Sequence, residues 1–146
     1  MLSDGELVGY VDAFPISGPD YEYLLAGGKE HLITPLREDA VEPTSSFYIA
    51  SVVIAEGWGG RLPALLKCAM KSYSGYYTQK AWCRVCAIGY SREGRTLLEK
   101  KEMQPVVGDQ VKIEMYTIDR RTVLSARKVN RALWQKLLPD LSQRSE

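Results

Sequence analysis

The sequence predicts a mixed α/β (α+β) fold: a twisted, mostly antiparallel sheet built around one central parallel strand–helix–strand unit. Three observations carry this. Residues 47–55 (Phe-Tyr-Ile-Ala-Ser-Val-Val-Ile-Ala) form an apolar run rich in aromatic and β-branched side chains, the composition of a buried strand. Behind the loop Gly57-Trp58-Gly59-Gly60-Arg61, apolar residues recur at Leu62, Leu65, Leu66, Ala69, Met70 and Tyr73, the spacing of one helix face. Residues 80–88 then alternate Ala81, Cys83, Val85 and Ala87 against Trp82, Arg84, Cys86 and Ile88, as a strand does. Strand, helix and strand in that order require a right-handed crossover between parallel neighbours.

The remaining elements follow from local signals. Asp4-Gly5 is a turn, and residues 6–14 read as a strand ended by Pro15, with little structure ahead of it. Residues 20–26 suit a short helix closed by Gly27-Gly28, while Pro35 and Pro43 limit anything between residues 32 and 43 to a brief element. Pro63 fits the first turn of the helix after the glycine loop, where a missing N–H costs nothing. Ser91 is the N-cap of a helix over residues 92–102. Residues 103–107 form a short strand, Gly108-Asp109 a turn and residues 110–118 a longer strand. In the longer strand Val111, Ile113 and Met115 oppose Lys112, Glu114 and Tyr116, so one face is buried. Residues 127–138 form a terminal helix, with Val129, Leu133 and Leu137 on one side and Pro139 as its stop. The expected organisation is one domain over residues 1–124, with residues 125–146 a C-terminal helical extension of it.

At 146 residues, 45% hydrophobic and 25% charged, the chain has the composition of a globular domain and excludes a disordered one. No apolar run approaches the ~18–20 residues that span a bilayer, and the N-terminus lacks the pattern of a signal peptide. A cytoplasmic protein without a membrane partner is expected, its three cysteines reduced. Net charge is +1 but unevenly placed: residues 1–50 hold nine acidic and two basic side chains, residues 51–146 nine acidic and seventeen basic. The glycine loop opens the basic part. Unpaired N–H groups at a helix start, within positive potential, suit a phosphate.

Residues 46–70 (SFYIASVVIAEGWGGRLPALLKCAM) resemble the central strand, pyrophosphate loop and helix of the GNAT acyltransferase superfamily. Residues 80–90 resemble its next strand, residues 91–106 (SREGRTLLEKKEMQPV) the helix and short strand that follow, and residues 6–15 an early strand. The resemblance covers roughly half to two-thirds of the chain. It implies acetyl-CoA or another acyl-CoA as co-substrate, with the pyrophosphate on the loop amides and the pantetheine arm along the preceding strand. The residues it assigns to the cofactor are Val52, Val53, Ile54, Gly57, Trp58, Gly59, Gly60, Arg61 and Leu62. The reaction implied is N-acyl transfer, most simply acetyl transfer, from CoA to a small-molecule or peptide amine, without a metal.

This chain also departs from the family pattern. Anchoring on Leu65-Leu66 matches only Gly60 to the loop's pattern, with Leu62 at its second small position and Gly57 where glutamine or arginine belongs. Leu98 stands where many members have the tyrosine that protonates the leaving thiolate, and the family's first strand and first two helices have no counterpart ahead of residue 6. Tyr90, just past the strand at residues 80–88, is the candidate proton donor in its place. These departures imply an alternative: a catalytically degenerate GNAT-like protein acting as a partner-binding or oligomeric scaffold. Self-association as a homo-oligomer is expected from an uncovered sheet flank.

Other signals carry less. Cys83 and Cys86 are spaced like metal or redox ligands, but on a strand they face opposite ways, and Cys68 and His31 complete no zinc set. Glu56 reads as a solvated loop residue, and Tyr73, Tyr76 and Tyr77 as packing at a helix end. The basic C-terminal stretch lacks a recognition motif, so nucleic acid is not the expected partner.

Overall fold

The computed structural model describes residues 1–78 and 81–140. A short hairpin, β1 (Leu2–Ser3) and β2 (Glu6–Leu7), turns at Asp4 and Gly5, both with positive φ. The main sheet holds β3 (Gly9–Ile16), β4 (Ser46–Ile54), β5 (Arg84–Ile88), β6 (Gln104–Pro105) and β7 (Met115–Asp119), in the order β3-β4-β5-β7-β6. Only β4 and β5 are parallel; β3–β4, β5–β7 and β6–β7 are antiparallel. The mixed α/β sheet with its parallel crossover is therefore present.

Helix α1 (Gly18–Leu25) is capped by Ser17, whose hydroxyl accepts from Asp20 N–H at 3.1 Å, and it ends at Gly27 with φ +85°. Helix α2 (Leu62–Tyr76) carries Pro63 in its first turn, as the sequence predicts, and buries Leu65, Leu66 and Met70. Helix α3 (Arg92–Lys100) starts at Ser91, whose Oγ accepts from Gly94 N–H at 3.0 Å. A turn of helix α4 (Arg120–Val123) and helix α5 (Lys128–Trp134) are the last helices among the described residues.

Each face of the sheet has its own core. Phe47, Val85, Ala87 and Ile118 pack beneath α2 and the C-terminal segment, with Trp82, Trp134, Leu137 and Leu138 in the same cluster. Ile16, Tyr48, Cys86 and Met115 pack on the other face against Tyr21, Leu24 and Leu25 of α1. The alternation of β5 thus sorts Val85 and Ala87 from Cys86, as its period of two demands.

Several sequence expectations need correction. Structure does precede residue 6, in the β1–β2 hairpin. Pro15 does not end its strand but pairs with Phe47 inside β3. That is allowed because β3 is an edge strand, where a missing N–H breaks no ladder. The strand expected from residue 80 begins only at Arg84; Lys80 itself lies outside the described residues, as does the tail 141–146 of the expected extension. The expected strand at 110–118 is shortened to Met115–Asp119. Lys112 N–H donates to Leu25 O at the end of α1 rather than to a neighbouring strand, so residues 108–114 dock as a loop.

Candidate functional site

The site is set by where β4 and β5 part. Their pairing runs from Ser46↔Arg84 to Ile49↔Ala87 and stops, while β4 continues to Ile54. At the same point the β3–β4 register shifts between Asp12↔Ser51 and Ala13↔Ile49, leaving Ala50 as the extra residue of a β-bulge. A bulge bends its strand and raises local twist, and β5 itself ends at Ile88, so the second half of β4 has no strand partner on that side among the described residues. Side chains up to Ile49 are buried, whereas those from Ala50 to Ile54 are half-buried or exposed.

Hydrogen-bond alternation decides which β4 amides face this opening. Ala55 N–H donates to Val8 O at 2.7 Å. In an antiparallel ladder every second residue then pairs with β3, so Ser51 and Val53 point to β3 while Val52 and Ile54 point away. The Val53 carbonyl lies 3.0 Å from where a Cβ on Gly9 would stand, and Tyr73 Oη donates to the outward Val11 carbonyl at 2.8 Å, both as this pattern requires. Among the three β4 residues singled out in the sequence, Val52 and Ile54 thus offer N–H groups to the cleft. The Val53 amide is taken by the sheet.

The loop after β4 is two consecutive turns. Trp58 N–H returns to Ala55 O at 3.0 Å, closing a turn around Glu56 and Gly57, and Gly57 sits at φ +84°. Arg61 N–H returns to Trp58 O at 2.9 Å, and Leu62 N–H to Gly59 O. The amides of Trp58, Arg61 and Leu62 are therefore used inside the loop, and these residues present side chains only. Gly57, Gly59 and Gly60 have N–H groups without a hydrogen-bond partner among the described residues, and nothing stands within 4 Å of where their Cβ atoms would be. The loop is open toward solvent, with a shallow pocket of about 400 Å³ at Gly57, Trp58, Gly60 and Arg61.

Beside it runs a groove of about 470 Å³ between the start of α2 and the outer face of α3. Gly59, Leu62 and Pro63 form one wall; Arg92, Glu93, Thr96, Leu97, Lys100 and Lys101 form the other, three cations against one carboxylate. Sequence reasoning did not single out these α3 residues. Arg92, Thr96 and Lys100, spaced four apart on the helix, were the available signal.

Tyr90 follows the end of β5, 66% exposed, and its hydroxyl donates to Glu30 Oε2 at 3.2 Å. Burial, then the Glu30 carboxylate, raises its pKa, so it holds its proton at neutral pH. Leu98 is buried in the core and brings no polar group to the cleft. Glu56 is exposed, and His31 lies in a single exposed 3-10 turn, Glu30–Leu32. Tyr73 and Tyr77 pack edge-on against Phe47 at 5.4 and 5.7 Å, so these rings belong to the core. Among the described residues no cluster of histidine, cysteine and carboxylate side chains could hold a metal, and no helix is long and apolar enough to cross a membrane.

No protein-family model and no curated protein sequence matches the chain. Among the solved structures that superpose on it are these two. One is a mutant AtaT toxin bound to the C-terminus of the antitoxin AtaR and acetyl-CoA, at 12% identity over 81% of this chain and 64% of that one, TM-score 0.49. The other is the mutant toxin bound to the antitoxin C-terminus, at 11% identity over 86% of this chain and 68% of that one, TM-score 0.52. The fold is GNAT-like. At this identity the likeness is one of fold alone, and this chain spans about two thirds of the length of those structures.

Proposed function

We propose that the chain is an acyl-CoA-dependent N-acyltransferase that moves an acetyl or longer acyl group from CoA to an amine. The observation that carries this reading is the second half of β4, left without a β5 partner and ending at a loop with open glycine amides. In this reading the pantetheine arm lies along the free half of β4, hydrogen-bonded by Val52 and Ile54. The amides of Gly57, Gly59 and Gly60 and the Arg61 side chain hold the pyrophosphate. The adenosine end enters the groove against α3, where Arg92, Lys100 and Lys101 meet its phosphate charge.

The chemistry asked of the protein is modest. A β4 N–H directed at the thioester carbonyl stabilises the oxyanion that forms when the amine attacks. The C–S bond then breaks, and the thiolate takes a proton either from the nitrogen that attacked or from Tyr90, whose raised pKa keeps it protonated and whose phenolate then takes the nitrogen's proton in return.

Calorimetry with acetyl-CoA and longer acyl-CoAs tests the reading directly. Binding in the micromolar range is expected, with thiol release once an acceptor amine is added. No heat at millimolar acetyl-CoA removes the enzyme reading and leaves the partner-binding scaffold. Gel filtration with light scattering tests the proposed homo-oligomer separately.

A further inference from the structure

A second groove, of about 460 Å³, runs between α2 and α5 and shares only Pro63 and Lys101 with the groove against α3. Its floor is aliphatic, made by Ala64 of α2 and by Val129, Ala132 and Leu133 of α5. The sequence places Val129 on the buried side of α5 with Leu133 and Leu137, yet it is 77% exposed while those two are buried. Pro63, Ala64 and Ala132 are exposed beside it, so the apolar surface is a continuous patch rather than one stray side chain. Four lysines, Lys67, Lys101, Lys128 and Lys136, also line the groove, and no carboxylate does. None of their ammonium groups has an ion-pair partner among the described residues. Asn130, the other polar residue there, donates to the Glu102 carboxylate, which also accepts from Arg127 N–H.

We propose that this groove docks an acidic amphipathic helix of another protein, its apolar face on Val129 and Leu133 and its carboxylates against the lysines. The inference stands apart from the acyl-transfer reading. Charge complementarity selects the sign of the partner: four cations without a counter-charge in the groove attract an acidic segment and repel a basic one. Shape selects a helix. Lys128, Ala132 and Lys136 fall four apart, as do Val129 and Leu133, so two ridges of α5 and the turn after it run along the groove. A third helix seats its own side chains between such ridges, as amphipathic helices do in apolar grooves. Lys128 and Lys136 are attached about 12 Å apart at helical rise. Carboxylates strung along a helix match that span, and one compact head group does not. The lining also disfavours nucleic acid, since it holds no aromatic ring to stack a base and no arginine to fork a phosphate.

Fluorescence anisotropy on the full chain tests this. The probe is a labelled synthetic helix of about 18 residues, with leucine and alanine on one face and glutamate on the other. Its controls are a scrambled peptide of the same composition, the same helix with lysine in place of glutamate, and a labelled oligothymidylate. The glutamate helix is expected to bind about tenfold more tightly than each control. Lys67→Glu combined with Lys136→Glu should weaken it about tenfold and let the lysine helix bind instead, with acetyl-CoA calorimetry unchanged. Val129→Ser, at an exposed position that spares the fold, should weaken it a few-fold. Equal binding of the scrambled peptide overturns the proposal, because the surface then attracts charge alone, and so does undiminished binding by either variant. Tighter binding of the oligothymidylate overturns it in favour of nucleic acid. A change in oligomeric state in the double lysine variant, read by light scattering, gives the groove to a second copy of this chain and overturns it too. Displacement of the helix by acetyl-CoA gives the groove to the cofactor, with the same consequence. Helix binding without any acetyl-CoA binding supports the proposal and removes only the acyl-transfer reading.

Discussion

The indole Nε1 of Trp82 donates to the backbone carbonyl of Leu137 at 2.9 Å, tying the residue just before β5 to the segment after α5. Both side chains are fully buried, and the Trp82 ring also lies 4.9 Å from Phe47 and 5.6 Å from Tyr77. The C-terminal segment is thereby fastened to the main core by a bond as well as by packing. Trp82→Phe keeps an aromatic ring but removes the donor, leaving a buried carbonyl unpaired. Urea denaturation should show a loss of about 1–3 kcal/mol, together with earlier exposure of Trp134.

The loop glycines should separate stability from ligand binding. Gly57 holds φ +84°, so Gly57→Ala should cost about 1–2 kcal/mol through backbone strain. Gly59 and Gly60 have no such φ and open space around them. Alanine at either should leave the melting temperature unchanged or slightly raised. Both substitutions should still weaken acetyl-CoA if the amides approach a pyrophosphate. Differential scanning calorimetry and titration calorimetry on the same three variants check this pair of outcomes.

Charge on α3 should matter to the same ligand. Arg92 and Lys100 both face the groove beside the loop. Replacing both with alanine should lower acetyl-CoA affinity about tenfold, the equivalent of roughly 1.4 kcal/mol. The salt dependence of binding should flatten as well, because surface charges are screened. An unchanged salt slope would place the adenosine end elsewhere.

Acid should loosen the docking of α5 on the end of α3. The Glu102 carboxylate accepts from Asn130 Nδ2 at 2.8 Å and from Arg127 N–H at 2.9 Å, and these bonds hold its pKa below the usual glutamate value. The folded state therefore binds fewer protons than the unfolded chain as this group titrates. Its contribution is complete above the unfolded glutamate pKa and disappears as pH falls through the lowered folded value. Denaturation midpoints measured from neutral pH down to pH ~3 should fall less steeply in Glu102→Gln than in the unsubstituted protein.

The thiols should react unequally. Cys68 is exposed, whereas burial pushes the Cys86 thiol up to about 12. Since the thiolate is the reactive form, Cys86 should stay silent to a disulfide reagent in the native state and react only in denaturant. Rapid native labelling of Cys86 would show that the α1 face of the sheet opens readily.

The unit from β4 through the loop into α2 was legible in the sequence because its causes are local. An apolar run, a glycine-rich loop and Pro63 in a first turn each act within a few residues, and so do the cap Ser91 and the turn Asp4-Gly5. Tertiary structure alone decided the rest. Residues 110–114 alternate like a strand, yet Lys112 bonds to Leu25 across the fold, a competition that no local pattern records. Pro15 reads as a stop, but its place on an edge strand makes it harmless. The bulge at Ala50, the division of Val52 and Ile54 from Val53, the α3 wall of the groove and the hydrogen bond from Tyr90 to Glu30 all depend on register and on contacts between distant segments. Side-chain chemistry along the chain sets which elements can form; strand pairing sets which of their groups are left open to a ligand.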